Sequence, residues 1–337
     1  MQQRNYDYDE LETRLLNAGG ARSATARNLR PDNMLHYIEN KMMAEIAEMA
    51  EAADIKTGFK NLDEESGGLS AGLYILAAES STGKTTFALQ MADYIAASGH
   101  DVIFYSLEQS RLELACKSFA RILAEIHGIK SDTPDSKALR KGAANKYLHE
   151  AAEEYKRKIA ERLTIIEGNY NCDTAEITTK AKGHAERTGT KPVVIIDYLQ
   201  ILKPSDGSRY QGTKETIDFN ITELKRLSRE LKIPVIAISS VNRSHYYEPI
   251  SFESLKESGN IEYTADVVWG LQLQCLNGAD PVKRKQLALD AKASNKRLVE
   301  LVCLKNKSDR ACYTCQFDYY ANKDLFSSKK KRNIPTR

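Results

Sequence analysis

Leu73-Tyr74-Ile75-Leu76-Ala77-Ala78-Glu79-Ser80-Ser81-Thr82-Gly83-Lys84-Thr85-Thr86 runs from an apolar stretch, through a Gly/Ser/Thr turn, into a helical pattern. The apolar part predicts a buried strand over Leu73 to Ala78, and Lys84 opens a helix to about Ser98. The turn from Ala78 to Thr85 fits a phosphate-binding loop of the Walker A kind, with Ala78 where the strict pattern has Gly. Open N–H groups of such a loop, together with a helix N-terminus, concentrate positive potential on phosphate. Ala78, Ser80, Ser81, Thr82, Gly83, Lys84, Thr85 and Thr86 are therefore the candidate nucleotide contacts. Gly83 lets the backbone approach, Lys84 neutralises β/γ-phosphate charge, and Thr85 offers a hydroxyl to Mg²⁺.

Two further stretches extend the pattern. Val193-Val194-Ile195-Ile196-Asp197 is a strand ending in a carboxylate. An Asp at the C-terminal end of a parallel strand is placed to hold Mg²⁺, as in a Walker B segment. Glu108 follows the strand Val102 to Leu107. It reads equally as a base for the attacking water or as an acidic residue favoured by the helix that begins near Ser110.

Outward from these strands, short apolar runs alternate with helical patterns. Helices are expected at about 110–127, 137–161, 173–188 and 214–232. Strands are expected at Leu163 to Ile166, Val235 to Ser239 and Val267 to Leu273, with a closing hairpin of Leu298 to Leu304 and Cys312 to Phe317. This alternation predicts an α/β fold, a mostly parallel sheet covered by helices on both faces. Four segments are expected: a polar tail with a short helix at 1–30, a helix over 31–53, an α/β domain over 54–326 and a basic tail over 327–337. Met34, Leu35, Ile38, Met42, Ile46 and Met49 recur at helical spacing along the second of these.

Composition sets bounds. The 337 residues carry 49 Lys plus Arg against 46 Asp plus Glu, so the net charge is +3, and any DNA-binding charge must be local. No apolar run reaches the roughly 18 residues of a membrane span, and no secretory leader is visible, so a cytoplasmic, non-membrane protein is expected. Cys312 and Cys315 form one CxxC without a second pair or a His cluster, which argues against zinc.

The order of motifs resembles the C-terminal motor domain of DnaB-type replicative helicases, in the RecA-like superfamily. Thr57-Gly58-Phe59-Lys60-Asn61-Leu62-Asp63 with Gly67-Gly68-Leu69 resembles that family's opening segment. Phe104-Tyr105-Ser106-Leu107-Glu108-Gln109-Ser110 resembles the segment with its catalytic Glu, and Asp197-Tyr198-Leu199-Gln200 its Walker B signature. Leu255-Lys256-Glu257-Ser258-Gly259-Asn260-Ile261-Glu262, followed by Ala265-Asp266-Val267-Val268, resembles its late DNA-contacting loop and strand. The resemblance covers about residues 54–326.

The resemblance implies a homo-oligomeric ring, usually hexameric, that hydrolyses ATP with Mg²⁺ at subunit interfaces and moves along single-stranded DNA. It implies Glu108 as general base and the helix over 31–53 as a linker that docks on a neighbour. It implies Lys256, Glu257 and Gly259 at DNA phosphates, and a pore loop carrying Lys203, Arg209, Tyr210 and Lys214, with Arg243 as a further DNA contact. Lys305 and Lys307 stand where the family reaches across the interface, the second position being Lys rather than the usual arginine finger; Arg310 is the substitute finger. Ser240 stands where the family usually has a γ-phosphate-sensing Gln. A loader protein is an expected partner and a mobile element an expected source; primase coupling is in doubt because the family's large N-terminal domain does not precede the linker. A slow or inactive ATPase ring serving as a DNA- or partner-binding scaffold is the alternative, motivated by Ser240 and Lys307. A recombinase-like filament is the third reading.

Overall fold

The computed structural model describes residues 33–52, 55–142, 145–168, 172–205, 213–255, 259–307 and 313–329. Expectations for the tail at 1–30, and for Arg209, Tyr210, Lys256, Glu257, Arg310 and Cys312, lie outside the described residues. The chain divides into two units, Met1–Glu51 and Ala52–Arg337.

In the first unit the single helix expected over 31–53 is two: α1 (Met34–Asn40) and α2 (Met42–Ala52). Asn33 caps α1 by accepting from the His36 N–H. Lys41 leaves helical geometry between them, and Tyr37 Oη donates to Glu45 across the break at 2.8 Å. Met34, Leu35, Ile38, Met43 and Ile46 are exposed. Met43 therefore joins the apolar stripe, and Met49 lies outside the described side chains.

The second unit is built on one sheet. Its strands are β1 (Gly72–Ala78), β2 (Val102–Ser106), β3 (Leu163–Glu167), β4 (Val193–Asp197), β5 (Pro234–Ser240), β6 (Val267–Leu273), β7 (Lys296–Asn306), β8 (Thr314–Tyr320) and β9 (Leu325–Ser328). The order is β3-β2-β4-β5-β1-β6-β7-β8-β9. The part from β3 to β6 is parallel, and β7 to β9 extend it antiparallel. Helices α3 (Lys60–Ser66), α4 (Lys84–Ala97), α5 (Arg111–His127), α6 (Ser136–Arg140), α7 (Asn145–Lys158), α8 (Thr174–Thr188), α9 (Thr213–Leu231), α10 (Gly259–Thr264) and α11 (Pro281–Ala293) complete the unit. Strands β1, β4 and β6 are buried along their whole length because helices cover both faces, which is why they read as continuous apolar runs.

Four local expectations are corrected. The helix expected over 137–161 is split into α6 and α7. Helices α3 and α11 were not expected, the latter because its apolar positions show no single face. Strand β9 includes Ser327 and Ser328, and the Lys329 N–H donates to the Gln316 carbonyl at 2.9 Å, so the sheet runs past the boundary expected at 326. Among the described residues no His/Cys/Asp/Glu group has the arrangement of a metal centre, and Cys315, buried in β8, directs its thiol to the Asn61 carbonyl at 3.5 Å. Among them, too, no helix is long and apolar enough to cross a membrane.

One aromatic cluster locks the phosphate-loop helix to the antiparallel edge. Phe87 on α4 stacks on Phe59 at 4.2 Å and meets Phe317 and Phe326 edge-on at 5.4 and 5.2 Å. Truncating such a fully buried ring costs about 3–5 kcal/mol. Phe87→Ala is expected to lower the urea midpoint accordingly; an unchanged midpoint would mean that the cluster does not anchor α4.

Candidate functional site

The sheet order brings the candidate chemistry together. Strands β2, β4, β5 and β1 are neighbours, and Glu108, Asp197, Ser240 and the loop from Ala78 to Thr85 all lie at or just beyond their C-terminal ends. That edge is where open parallel sheets bind ligands.

Within the loop the Thr82 N–H donates to the Glu79 carbonyl at 3.3 Å, which closes the turn. Gly83 has φ 105° and Ser81 φ 65°, both left-handed, so the backbone curls into a cup. A Cβ on Gly83 would lie 2.9 Å from the Phe326 ring and 3.0 Å from the Tyr319 ring, so only glycine fits. Phe87 makes the first intrahelical bond, to the Gly83 carbonyl at 2.8 Å, which leaves the N–H groups of Lys84, Thr85 and Thr86 without helical acceptors. Cations hold the loop's carbonyls from outside. Arg297 donates to the Ser81 carbonyl at 2.8 Å, and Lys292 donates to the Ser80 carbonyl at 3.1 Å and to Glu79 at 2.5 Å. With these carbonyls engaged, the cup presents donors to an anion.

Asp197 is fully buried, and neither of its carboxylate oxygens has a formed hydrogen bond. An unsatisfied buried carboxylate is costly and calls for an explanation. Burial pushes its pKa up to about 6. The Thr85 hydroxyl, near but not in bonding geometry, and the Lys84 ammonium oppose that rise, while the Glu108 charge adds to it. Two free hard oxygens beside a threonine hydroxyl fit a divalent cation such as Mg²⁺. Thr85 and Asp197, the expected metal pair, are therefore together.

Glu108 is exposed and sits in the bend after β2. The Leu107 N–H donates to the Asp197 carbonyl at 2.7 Å, and Ser106 pairs with Asp197 across the strands. Ser106 Oγ donates to the Gln109 carbonyl at 2.5 Å, which shapes the turn that carries Glu108. Thr86 departs from the expectation. Its buried hydroxyl is engaged with Asp324 at 3.2 Å and Lys117 at 3.1 Å, which leaves only its N–H for a ligand.

Lys305 and Lys307 lie elsewhere. Asn306 pairs with Val267 at the start of β6, the opposite end of the sheet from the loop. Val267 is level with Tyr74 of β1, four residues before Ala78, so at about 3.3 Å each it lies roughly 13 Å from the loop's first residue along the strand direction. Here both lysines hold the C-terminus of α10. Lys305 donates to the Glu262 carbonyl, and Lys307 to the Tyr263 carbonyl at 3.2 Å. Burial first, then the neighbouring Lys307 charge, hold Lys305 below the usual lysine range.

Of the expected DNA contacts, Lys203 and Arg243 are exposed in loops after β4 and β5, and Lys214 is exposed on α9. Gly259 opens α10, directly after residues 256–258. Asn260 donates to the Asp218 carbonyl at 3.2 Å, so the helices that flank the two expected DNA loops are joined.

The partners supplied by Lys292, Arg297, Tyr319 and Asp324 were not anticipated. They come from more than 200 residues away, and no local pattern marks them.

The family described as DnaB-like helicase C terminal domain matches residues 54–322. A replicative DNA helicase DnaB of Leifsonia xyli subsp. xyli is 34% identical over 221 residues, covering 64% of this chain and 45% of that protein. Its counterpart in Geobacillus stearothermophilus is 26% identical over 305 residues, covering 89% and 62%. The chain thus spans about half the length of the curated relatives it matches. A solved DnaB-like replicative helicase, described with its primase interactions, superposes with TM-score 0.67 at 20% identity, over 90% of this chain and 73% of that one. The RecA-like P-loop architecture, the motif order and the family match converge: this chain belongs to the DnaB-like helicase C-terminal domain family.

Proposed function

We propose that this chain is an ATP-driven DNA helicase or single-stranded DNA translocase that works in DNA replication as a homo-oligomeric ring, with ATP hydrolysed between subunits. The observation that carries the reading is the division of the chemistry between the two ends of the sheet. Lys84, Thr85, Asp197 and Glu108 gather at one end, while Lys305 and Lys307 stand beside the start of β6, toward the other. The cations nearest the loop in the same chain, Lys292, Arg297 and Lys117, are already paired with protein oxygens. Lys305 and Lys307, distant from their own chain's loop, serve a neighbour's nucleotide in this reading. A heterologous contact of this kind can close a ring.

In this reading the loop N–H groups and Lys84 bind the phosphates. Glu108 orients the attacking water and accepts its proton. Thr85 and Asp197 would hold Mg²⁺, which would supply charge neutralisation to the phosphates. The exposed stripe of α1 and α2 docks on the next subunit. Lys203, Lys214, Arg243 and the segment 256–259 face single-stranded DNA, through phosphates and hence without strong sequence preference. A loader is a further partner.

The test is displacement of a labelled strand from a forked duplex, with ATP and with a non-hydrolysable analogue, beside mass photometry with nucleotide. Rings and ATP-dependent displacement are expected. Rings that bind DNA without ATP-dependent movement would favour the scaffold reading that Ser240 and Lys307 motivate.

A further inference from the structure

Between the nucleotide edge and the segment expected at DNA lies one short stretch, Ser239 to Asn242, whose residues are pinned on both sides. Ser240 pairs with Ala78, the first residue of the phosphate loop, and the Val241 N–H donates to the Ala78 carbonyl at 3.3 Å. On the far side, Val241 bridges Leu255 and the Asn242 N–H donates to the Ser254 carbonyl at 2.9 Å. Residues 256–258 follow directly. A shift of β5 along its axis therefore moves both the loop's first residue and the base of the DNA segment.

An amide reaches this edge from the short 3-10 turn, Leu199–Ile201, that follows β4. Gln200 lies three residues after Asp197. Its Nε2 donates to Ser239 Oγ at 2.9 Å, and its Oε1 accepts from the Ser240 N–H at 3.4 Å. Ser239 is fully buried and Gln200 half-buried, so the clasp is shielded from competing water. One side chain thus ties the segment that positions the metal-site carboxylate to the strand that leads to the DNA segment.

We propose that Gln200 is a positioning residue that couples nucleotide state to single-stranded DNA affinity. It transmits displacement of the Asp197 segment to Ser239 and Ser240, and from there through Val241 and Asn242 to Ser254 and Leu255. The proposal rests on the translocase reading above, and it assigns the coupling to a residue that touches neither phosphate nor DNA.

The experiment measures affinity for a fluorescein-labelled oligothymidylate in the presence of AMP-PNP and of ADP, using the full chain. Coupling between sites typically changes affinity about 5–150-fold, and a ratio in that range is expected for the unsubstituted protein. Gln200→Met keeps bulk and removes both hydrogen bonds. It is expected to bring the ratio to within about twofold of unity, with the AMP-PNP affinity and melting temperature nearly unchanged. Ser239→Ala removes the acceptor alone and is expected to reduce the ratio in part. The double variant is expected to be no worse than Gln200→Met, the non-additivity of two groups in one contact. A ratio that persists in Gln200→Met, or additive losses, would overturn the assignment while leaving the translocase reading intact. No nucleotide effect in the unsubstituted protein would overturn both. If Gln200→Met does not fold, Ser239→Ala alone decides: an unchanged ratio overturns the proposal and a reduced ratio supports it.

Discussion

Glu108→Gln is expected to keep nucleotide binding and lower ATP turnover by about 10²–10⁴-fold, the usual contribution of a positioned general base. Glu108 projects from the bend after β2, held beside Asp197 by the Leu107 N–H bond to the Asp197 carbonyl. It is exposed and makes none of the contacts that hold the bend, which come from Ser106 and from the strand pairing. An amide of the same size preserves that shape and cannot take the proton. Binding of a fluorescent ATP analogue and phosphate release, measured on one preparation, separate the two effects. Parallel loss of both would make Glu108 a structural residue.

Lys307→Ala is expected to lower turnover by about 10³-fold, the low end of the range for a trans cation, because lysine lacks the planar fork of arginine. The loss should be complemented. In rings that mix Lys84→Ala with Lys307→Ala subunits, each Lys84→Ala subunit still offers its lysine to a neighbour with an intact loop. Turnover above that of either variant alone is expected, measured after mixing is shown by energy transfer between labelled subunits. No recovery would remove Lys307 from the interface. Its contact with the Tyr263 carbonyl sets a condition on this role: the ammonium must leave α10, or α10 must travel with it, to reach a phosphate across the interface.

How far the sequence spoke depended on the range of the interactions. The loop from Ala78 to Thr85 and the strand ending at Asp197 were legible because their chemistry is local: an apolar run, a turn and a charged residue in fixed register. The parallel core followed from the same runs. The split between α6 and α7 was not legible, since the apolar spacing continues through it. Helix α11 lacked an apolar stripe, because Ala288 is buried while Val282, Leu287 and Leu289 are exposed. The outer support of the phosphate loop was invisible. Lys292 and Arg297 read as ordinary charged residues until the antiparallel edge folds them against Ser80 and Ser81. Gln200 was quoted only as part of a motif, and its clasp on Ser239 depends on β4 and β5 being neighbours. The opposite placement of Lys305 and Lys307 needed the antiparallel direction of β7, which periodicity does not encode.

The most direct measurement is steady-state ATP hydrolysis with and without single-stranded DNA, for the unsubstituted protein and for Lys84→Ala. The account predicts turnover that DNA stimulates and that Lys84→Ala abolishes in both conditions. Turnover that survives Lys84→Ala, or nucleotide binding without DNA-dependent turnover, would contradict it.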